Sequence, residues 1–302
     1  MSFRSIRRKI RDALSDVVPN WMPFNYVFAV PKFHRANGRF PVGESSPEFE
    51  FNDFVFWRMI RNDRRMIEKV CTDKQFAKIY ARSFPGVHVA ETIDVFRLER
   101  GRTLGDFEAF LARHLGRRLV AKPTHSSGPI LFLDQSPSAA DVAKFFAASK
   151  VDFFRDKRET QYRGLEKKIL IEENISVDGK LSDYKFYVVK GIPLYSSMVF
   201  DRFGDISCAV MDLNDLSVIE TEFAKLKFPA HFEPPAALPE MIDAAGRLAA
   251  EFDFVRVDLY HVNGRVHFGE FTFSPSAGSD PMSNKVWTRR FARQILDILR
   301  ER

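Results

Sequence analysis

Between Phe254 and Gly278 the chain reads FVRVDLYHVNGRVHFGEFTFSPSAG, where acids alternate with apolar residues at strand spacing. In a strand successive side chains face opposite ways, so Val255, Val257 and Leu259 share one face and Arg256 and Asp258 the other. After the turn signal Asn263-Gly264, Phe271 and Phe273 share a face, and Glu270 and Thr272 take the opposite one. A two-residue turn there sets Glu270 opposite Val257 and sends the two acids to different sides. A three-residue loop with Gly264 in the left-handed conformation moves the pairing by one residue and gathers Arg256, Asp258, Glu270 and Thr272 on one face, which the apolar pattern favours. Two carboxylates ~4 Å apart repel by about 4 kcal/mol at an effective dielectric near 20. Arg256 could offset this alone as a structural ion pair. The sharper reading is a divalent cation, because magnesium often takes one or two carboxylates together with the phosphates of a nucleotide.

Residues for those phosphates exist elsewhere. Lys122 ends an apolar run and precedes Thr124-His125-Ser126-Ser127-Gly128, after which a second apolar run begins, giving strand, loop, strand. A loop of small residues lets backbone amides approach phosphate oxygens, with the lysine at its base supplying charge. An ordinary hairpin connection is the bland alternative. A further apolar strand, Ile169 to Ile175, ends in the acids Glu172 and Glu173. Lys185 lies inside the β-pattern Asp183 to Val189 rather than at a solvated end, with a surface strand lysine as its alternative.

In order and spacing these pieces resemble the ATP-grasp superfamily, and more closely its branch similar to the teichuronopeptide biosynthesis protein. The resemblance runs from about Phe49 to about Gly278 through Phe51-Asn52-Asp53, Trp57, Thr72-Asp73-Lys74, Tyr80, Ala121-Lys122, His125, Gly128, Glu172, Asp183-Tyr184-Lys185-Phe186, Gly191, Phe254 to Asp258, Gly269 to Phe273 and Pro275. It implies an ATP- and magnesium-dependent carboxylate-amine ligase. Lys74 and Lys122 would be the nucleotide lysines, with His125, Ser126, Ser127 and Gly128 in the phosphate loop. Glu172 would receive the adenine amino group, and the backbone of Glu173 and Ile175 would read the adenine edge. Asp258 and Glu270 would hold magnesium, with Thr272 as a neutral oxygen where many relatives have asparagine. Lys185 and Arg256 would lie near the transferred phosphoryl group. The branch points to modification of a cell-surface polysaccharide containing uronic acids. Ser276 and Ala277 depart from the glycine that usually follows Pro275 in this branch.

The wider chain sets limits. With 302 residues, 45% hydrophobic and 28% charged, it suits a soluble globular protein, and most of its 31 phenylalanines are expected in the core. No apolar run approaches the ~20 residues that span a bilayer, and no secretory signal is evident, so the expected location is cytoplasmic. Cys71 and Cys208 form no metal or redox spacing. Arg4, Arg7, Arg8, Lys9 and Arg11 oppose Phe3, Ile6, Ile10, Leu14 and Val17 at helical spacing. This basic amphipathic helix over residues 1–18 docks on its own domain or rests through residues 3–17 on anionic lipid at the inner face of the membrane, with a transit peptide as a third reading that no cleavage site marks. A pI near 9.3 and many aromatics leave a basic nucleic-acid binder as an alternative, but the remaining bases are scattered and carry no recognition motif, so no nucleic-acid partner is expected.

The expected architecture is α+β and ATP-grasp-like, two lobes with largely antiparallel sheets clasping a nucleotide cleft. Residues 19–70 form an N-terminal unit, irregular to Glu48 and helical from 51 to 70. The small lobe spans 71–171 with helices at 74, 104–115 and 138–149. The large lobe, 172–302, carries the metal site, with helices at 239–252 and from 285. The alternatives are a glycosyltransferase, with Asp201 and Asp205 as candidate ligands of a sugar nucleotide's metal, or a non-catalytic nucleotide-binding protein of polysaccharide assembly.

Overall fold

The computed structural model of the protein describes residues 19–61, 63–177, 181–200 and 206–301. The basic segment 1–18 lies outside the described residues, as do Asp201 and Asp205.

Much of the stretch expected to be irregular before Glu48 is a helix, α1 (Met22–Asn37). The prolines that suggested otherwise are accommodated. Pro23 stands in the first turn, where a missing amide costs no intrahelical bond, and Pro31 is carried inside the helix. The periodic stretch 51–70 is two helices, α2 (Phe51–Ile60) and α3 (Met66–Thr72), because the backbone turns extended at Arg61. Asp73 then caps α4 (Lys74–Ala81), its carboxylate accepting from the Gln75 and Phe76 amides.

The strands fall into two sheets. One has four antiparallel strands, with β2 (Thr92–Arg97) and β5 (Lys168–Glu173) beside β3 (Leu119–Pro123) and β4 (Leu131–Phe132), in the order β2-β5-β3-β4. Helices α5 (Leu104–Leu111) and α6 (Ala139–Ser149) cover one of its faces through Phe107, Phe110, Phe145 and Phe146, packed on Ala121, Ile169 and Ile171. The short α7 (Phe153–Lys157) leads back to β5. Alternation therefore turns Lys122 and Glu172 to the uncovered face.

The second sheet has seven strands. It joins β1 (Val87–Val89) with β6 (Asp183–Val189), β7 (Ile192–Phe200), β8 (Ser207–Asp212), β9 (Val218–Ile219), β10 (Val255–Val262) and β11 (Arg265–Thr272) in the order β1-β11-β10-β6-β7-β8-β9. Among the described strands of this sheet, β1 pairs with β11 in parallel and the other neighbours are antiparallel. One face packs Phe186, Val255, Val257 and Leu259 against α8 (Leu238–Ala249) and against Ala77 and Ala81 of α4. Each such fully buried side chain contributes about 1.5–3 kcal/mol. On the opposite face Phe51 and Phe54 of α2 and Phe291 of α9 (Lys285–Arg300) cover Tyr187, Tyr195 and Phe254. The expected boundaries at 71 and 172 fall inside α3 and β5, and α4, expected in the small lobe, packs on the seven-stranded sheet. Cys71 and Cys208 are buried free thiols.

The hairpin gathers its acids as expected, by a different device. Asn263 and Gly264 both have positive φ (52° and 72°) in a two-residue turn, and Val262 pairs with Arg265. The one-residue shift arises further on, as a bulge that pairs Leu259 with Phe268 but Asp258 with Glu270, leaving Gly269 as the extra residue. A side chain is excluded there, because a Cβ on Gly269 would lie 2.8 Å from the Tyr260 ring and 3.0 Å from the Asp258 carbonyl oxygen. Gly269→Ala should destabilise the fold by about 1–3 kcal/mol, the usual cost of overpacking. A urea denaturation curve with an unchanged midpoint would show that the bulge does not depend on that contact.

Candidate functional site

The exposed part of the large sheet is the floor of a cavity of about 320 Å³. Asp183, Lys185 and Tyr187 reach it from β6, Arg256 and Asp258 from β10, and Glu270 from β11. Register puts them together: Asp258 pairs with Lys185 on one side and Glu270 on the other, and Arg256 pairs with Tyr187 and Thr272. Arg256 grips Asp258 with two bonds, Nε to Oδ1 at 2.6 Å and Nη2 to Oδ2 at 2.7 Å. Its Nη2 also donates to the Thr272 hydroxyl (3.0 Å), and it lies 3.5 Å from Glu270. Lys185 bridges Asp183 and Asp258, the latter at 3.0 Å.

The roof comes from the small sheet and its loop. Lys122, Ser126, Ser127 and Gly128 line the cavity, as does Lys74 from the first turn of α4. The Lys74 ammonium joins both halves, donating to the Ser126 carbonyl (2.6 Å) and pairing with Glu270 (3.1 Å). The loop is held by Asp73, whose carboxylate accepts from the Thr124 hydroxyl (3.0 Å) and pairs with Lys168 (3.1 Å), while the Lys74 amide donates to the Thr124 carbonyl. The Ser126 hydroxyl is buried at the cavity wall without a hydrogen-bond partner among the described residues, a donor suited to an oxygen-rich ligand. Beside the cavity lies an apolar slot of about 90 Å³ lined by Val120, Phe132, Phe268 and Ile175, with Glu172 and Glu173.

The sequence-derived residues therefore converge, with four refinements. His125 is turned away beneath the loop, with one ring nitrogen against the Ser149 carbonyl (2.8 Å) and the other accepting from the Lys168 amide (3.3 Å), so it shapes the loop and does not face the cavity. Glu172 lines the slot, but Lys78 (2.7 Å) and Lys122 hold its two oxygens. The Glu173 amide is spent on the Glu91 carbonyl (3.0 Å), so that amide does not face the slot as a donor. Thr272 stands beside the acids rather than between them, donating to Glu270 at 3.4 Å.

Charge pairing sets the protonation of the site. Burial would raise the Glu270 carboxyl, but Lys74, Arg256 and Lys185 outweigh it and hold it down to about 2. Burial also works against ionised Glu172, and there Lys122 and Lys78 prevail and lower it. Asp258 lies deeper. Burial pushes it up, with Asp183 and Glu270 adding to the rise, against the pull of Arg256 and Lys185. Among the described residues no three His, Cys, Asp or Glu side chains gather into a closed metal cage. The paired carboxylates of Asp258 and Glu270 instead form an open, oxygen-only set, which suits magnesium completed by phosphate.

Several contributors escaped the sequence reading. Lys78 follows Lys74 by one helical turn, and that i, i+4 spacing was the available signal. Asn37 and Asn52 left none, since their task is tertiary. They hold the turn after Ser274, in which Ser276, Ala277 and Gly278 all have left-handed φ (47°, 55° and 67°). The Asn52 amide donates to the Asp280 carbonyl (2.8 Å), and that of Asn37 to the Gly278 carbonyl (3.0 Å). The Ser276 and Ala277 departures thus require a conformation that glycine adopts more readily.

Burial of His125 lowers its pKa from 6.5 to about 4. The folded value lies below the unfolded one, so its contribution is complete above pH 6.5 and is lost as pH falls towards 4, by about 3 kcal/mol. Stability measured across that window should fall more steeply for the parent than for His125→Asn, and parallel curves would remove His125 as the cause.

The chain matches the model of the TupA-like ATP-grasp family over residues 55–295. Among curated proteins none matches it. It is similar to several solved structures. One is D-alanine--D-alanine ligase from Bacillus anthracis complexed with ATP, at 15% identity and TM-score 0.42, covering 76% of this chain and 65% of that one. Another is the ATP-grasp ligase PsnB complexed with its minimal precursor, at 12% identity and TM-score 0.41, covering 77% and 62%. A third is the VanG D-Ala:D-Ser ligase from Enterococcus faecalis, at 14% identity and TM-score 0.42, covering 76% and 62%. The chain thus spans less than two thirds of the length of each of these ligases. No described helix is long and apolar enough to cross a membrane. With most of its length matched by the family model, and with an α+β architecture of two sheets around a charged cavity, the chain belongs to the TupA-like ATP-grasp family.

Proposed function

We propose that the protein is an ATP- and magnesium-dependent ligase that activates a carboxylate as an acyl phosphate and transfers the acyl group to an amine. The observation that supports this best is the meeting of Lys74 and Lys122 with Asp258 and Glu270 around one cavity, beside an apolar slot. In this reading the four-stranded and seven-stranded sheets are the two jaws of the grasp. The adenine ring lies in the slot, its edge read by the Glu173 carbonyl and the Ile175 backbone with Glu172 beside it. The triphosphate runs under Ser126, Ser127 and Gly128, and Lys74 and Lys122 turn from their acid partners to its oxygens. Asp258 and Glu270 hold magnesium, with Thr272 as an adjacent neutral oxygen. Bound there, the ion neutralises phosphate charge and orients the γ-phosphoryl group.

The substrate carboxylate oxygen forms a bond to the γ-phosphorus as the bond to ADP breaks, and ADP leaves with the electron pair. Lys185 and Arg256 stand where charge develops on the transferred group. The amine, having given up its ammonium proton to solvent, bonds through its nitrogen lone pair to the acyl carbon as the carbon–oxygen bond to phosphate breaks; phosphate leaves with that electron pair and takes up the proton the nitrogen releases. For the carboxylate we propose a uronic acid of a cell-surface polysaccharide or its precursor, on the strength of the family branch. Residues 3–17 would bring the enzyme to anionic lipid, as their alternating bases and apolar residues suggest.

One observation favours a second reading, a nucleotide-binding protein without turnover: both oxygens of Asp258 are already gripped by Arg256. Magnesium-dependent ATP binding and ADP release, measured with uronic-acid acceptors and amines, separate the two. The parent should release ADP on acceptor addition, and Glu270→Gln should lower that rate by roughly 100-fold, as expected for a lost charge aimed at the transition state. Lys122→Ala should mainly weaken ATP binding. ATP bound without any release would support the second reading, and hydrolysis of a sugar nucleotide instead would point to a glycosyltransferase.

A further inference from the structure

The charges lining the cavity do not all cancel. Glu270 is paired with Lys74, Asp258 with Arg256 and Lys185, and Asp183 with Lys185. Asp280 lines the same cavity, and its carboxylate accepts from the Ser276 hydroxyl but makes no ion pair among the described residues. The carboxylate is not free to swing far, because Asn52 fixes the Asp280 backbone carbonyl and the left-handed turn before it is pinned by α1 and α2. The neighbouring wall is apolar, with Val199, Ile206, Phe223 and Leu226.

A half-buried carboxylate beside an apolar wall recognises a cation better than a neutral group, since an ammonium leaving water needs an opposite charge to offset its desolvation. The other lining carboxylates are committed to the enzyme's own cations. We propose that Asp280 binds the ammonium group of the amine substrate, and that the class of acceptor is a primary amine carrying an apolar stem along Val199, Ile206, Phe223 and Leu226. The proposal deepens the ligase reading and rests on it for the amine's role as acceptor, while the binding itself can be measured separately. Asp280 acts here as a specificity residue.

The test uses the full chain saturated with magnesium and the non-hydrolysable ATP analogue AMP-PNP, titrated calorimetrically with n-pentylamine and with 1-pentanol, its neutral counterpart of similar shape. The parent should bind the amine about 10-fold or more tightly than the alcohol, the worth of one hydrogen bond to a charged group. Asp280→Asn should lose that preference and keep its affinity for AMP-PNP, and Asp280→Glu should restore part of it. Equal affinity of the parent for the two probes overturns the proposal without recourse to any variant. So does an Asp280→Asn protein that keeps the preference. A parent that prefers the amine through Asp280 but releases no ADP with any carboxylate would sink the ligase reading and leave the ammonium site standing. An active ligase whose KM for amine is unmoved by Asp280→Asn would do the reverse.

Discussion

Two carboxylates on neighbouring strands, Asp258 and Glu270, face each other across the hairpin, and the design of the cavity follows from keeping them there. Opposed like charges would push the strands apart if left alone. The chain answers with cations from three directions: Arg256 from the same strand, Lys185 from β6 and Lys74 from α4. Each is placed by a different element. The acid pair therefore ties the centre of the large sheet to the helix that begins the crossing toward the small one.

That tie continues through Asp73. This one buried carboxylate caps α4, accepts the Thr124 hydroxyl and pairs with Lys168 of β5, so the helix start and the loop above the cavity share an anchor. Because α4 packs its alanines on the large sheet, the loop from Thr124 to Gly128 is referenced to the floor as well as to its own strands. An irregular loop thereby gains a defined position over the acids, which a ligand cradle requires. His125, buried below with both ring nitrogens engaged, stiffens the same loop from its other side.

The legible parts of the sequence were those governed by short-range periodicity. Alternation along Val255–Leu259 and Phe271–Phe273 was enough to put Arg256, Asp258, Glu270 and Thr272 on one face, and strand-loop-strand around Lys122 emerged from composition. The cause of the hairpin shift was not legible, since Gly269 gives no local sign that a bulge there depends on the approach of Tyr260. Composition gives no helix for α1, which carries Pro23 and Pro31 and whose support, Phe33 on Phe56, is tertiary. His125 looked like part of a phosphate loop because its neighbours are. Nothing in sequence distance says that its ring meets Ser149, at the end of α6.

Lys78 shows how pairing and ligand exchange fit together. Glu172 lies almost wholly out of water and is held ionised by two ammonium groups, Lys78 at 2.7 Å on one oxygen and Lys122 on the other. If Lys122 were its sole partner, moving that lysine to a phosphate would strand a buried carboxylate, a change that costs several kcal/mol. Under the proposed function Lys78 would remove most of that cost, because it could remain on Glu172 while Lys122 turned toward the nucleotide. The same economy holds on the floor, where Arg256 keeps two bonds to Asp258 whether or not Lys185 stays with it. In each case one cation is bound to the protein by geometry and another is left transferable. On the function proposed above, Lys122 could pass to a triphosphate without leaving Glu172 a bare buried charge.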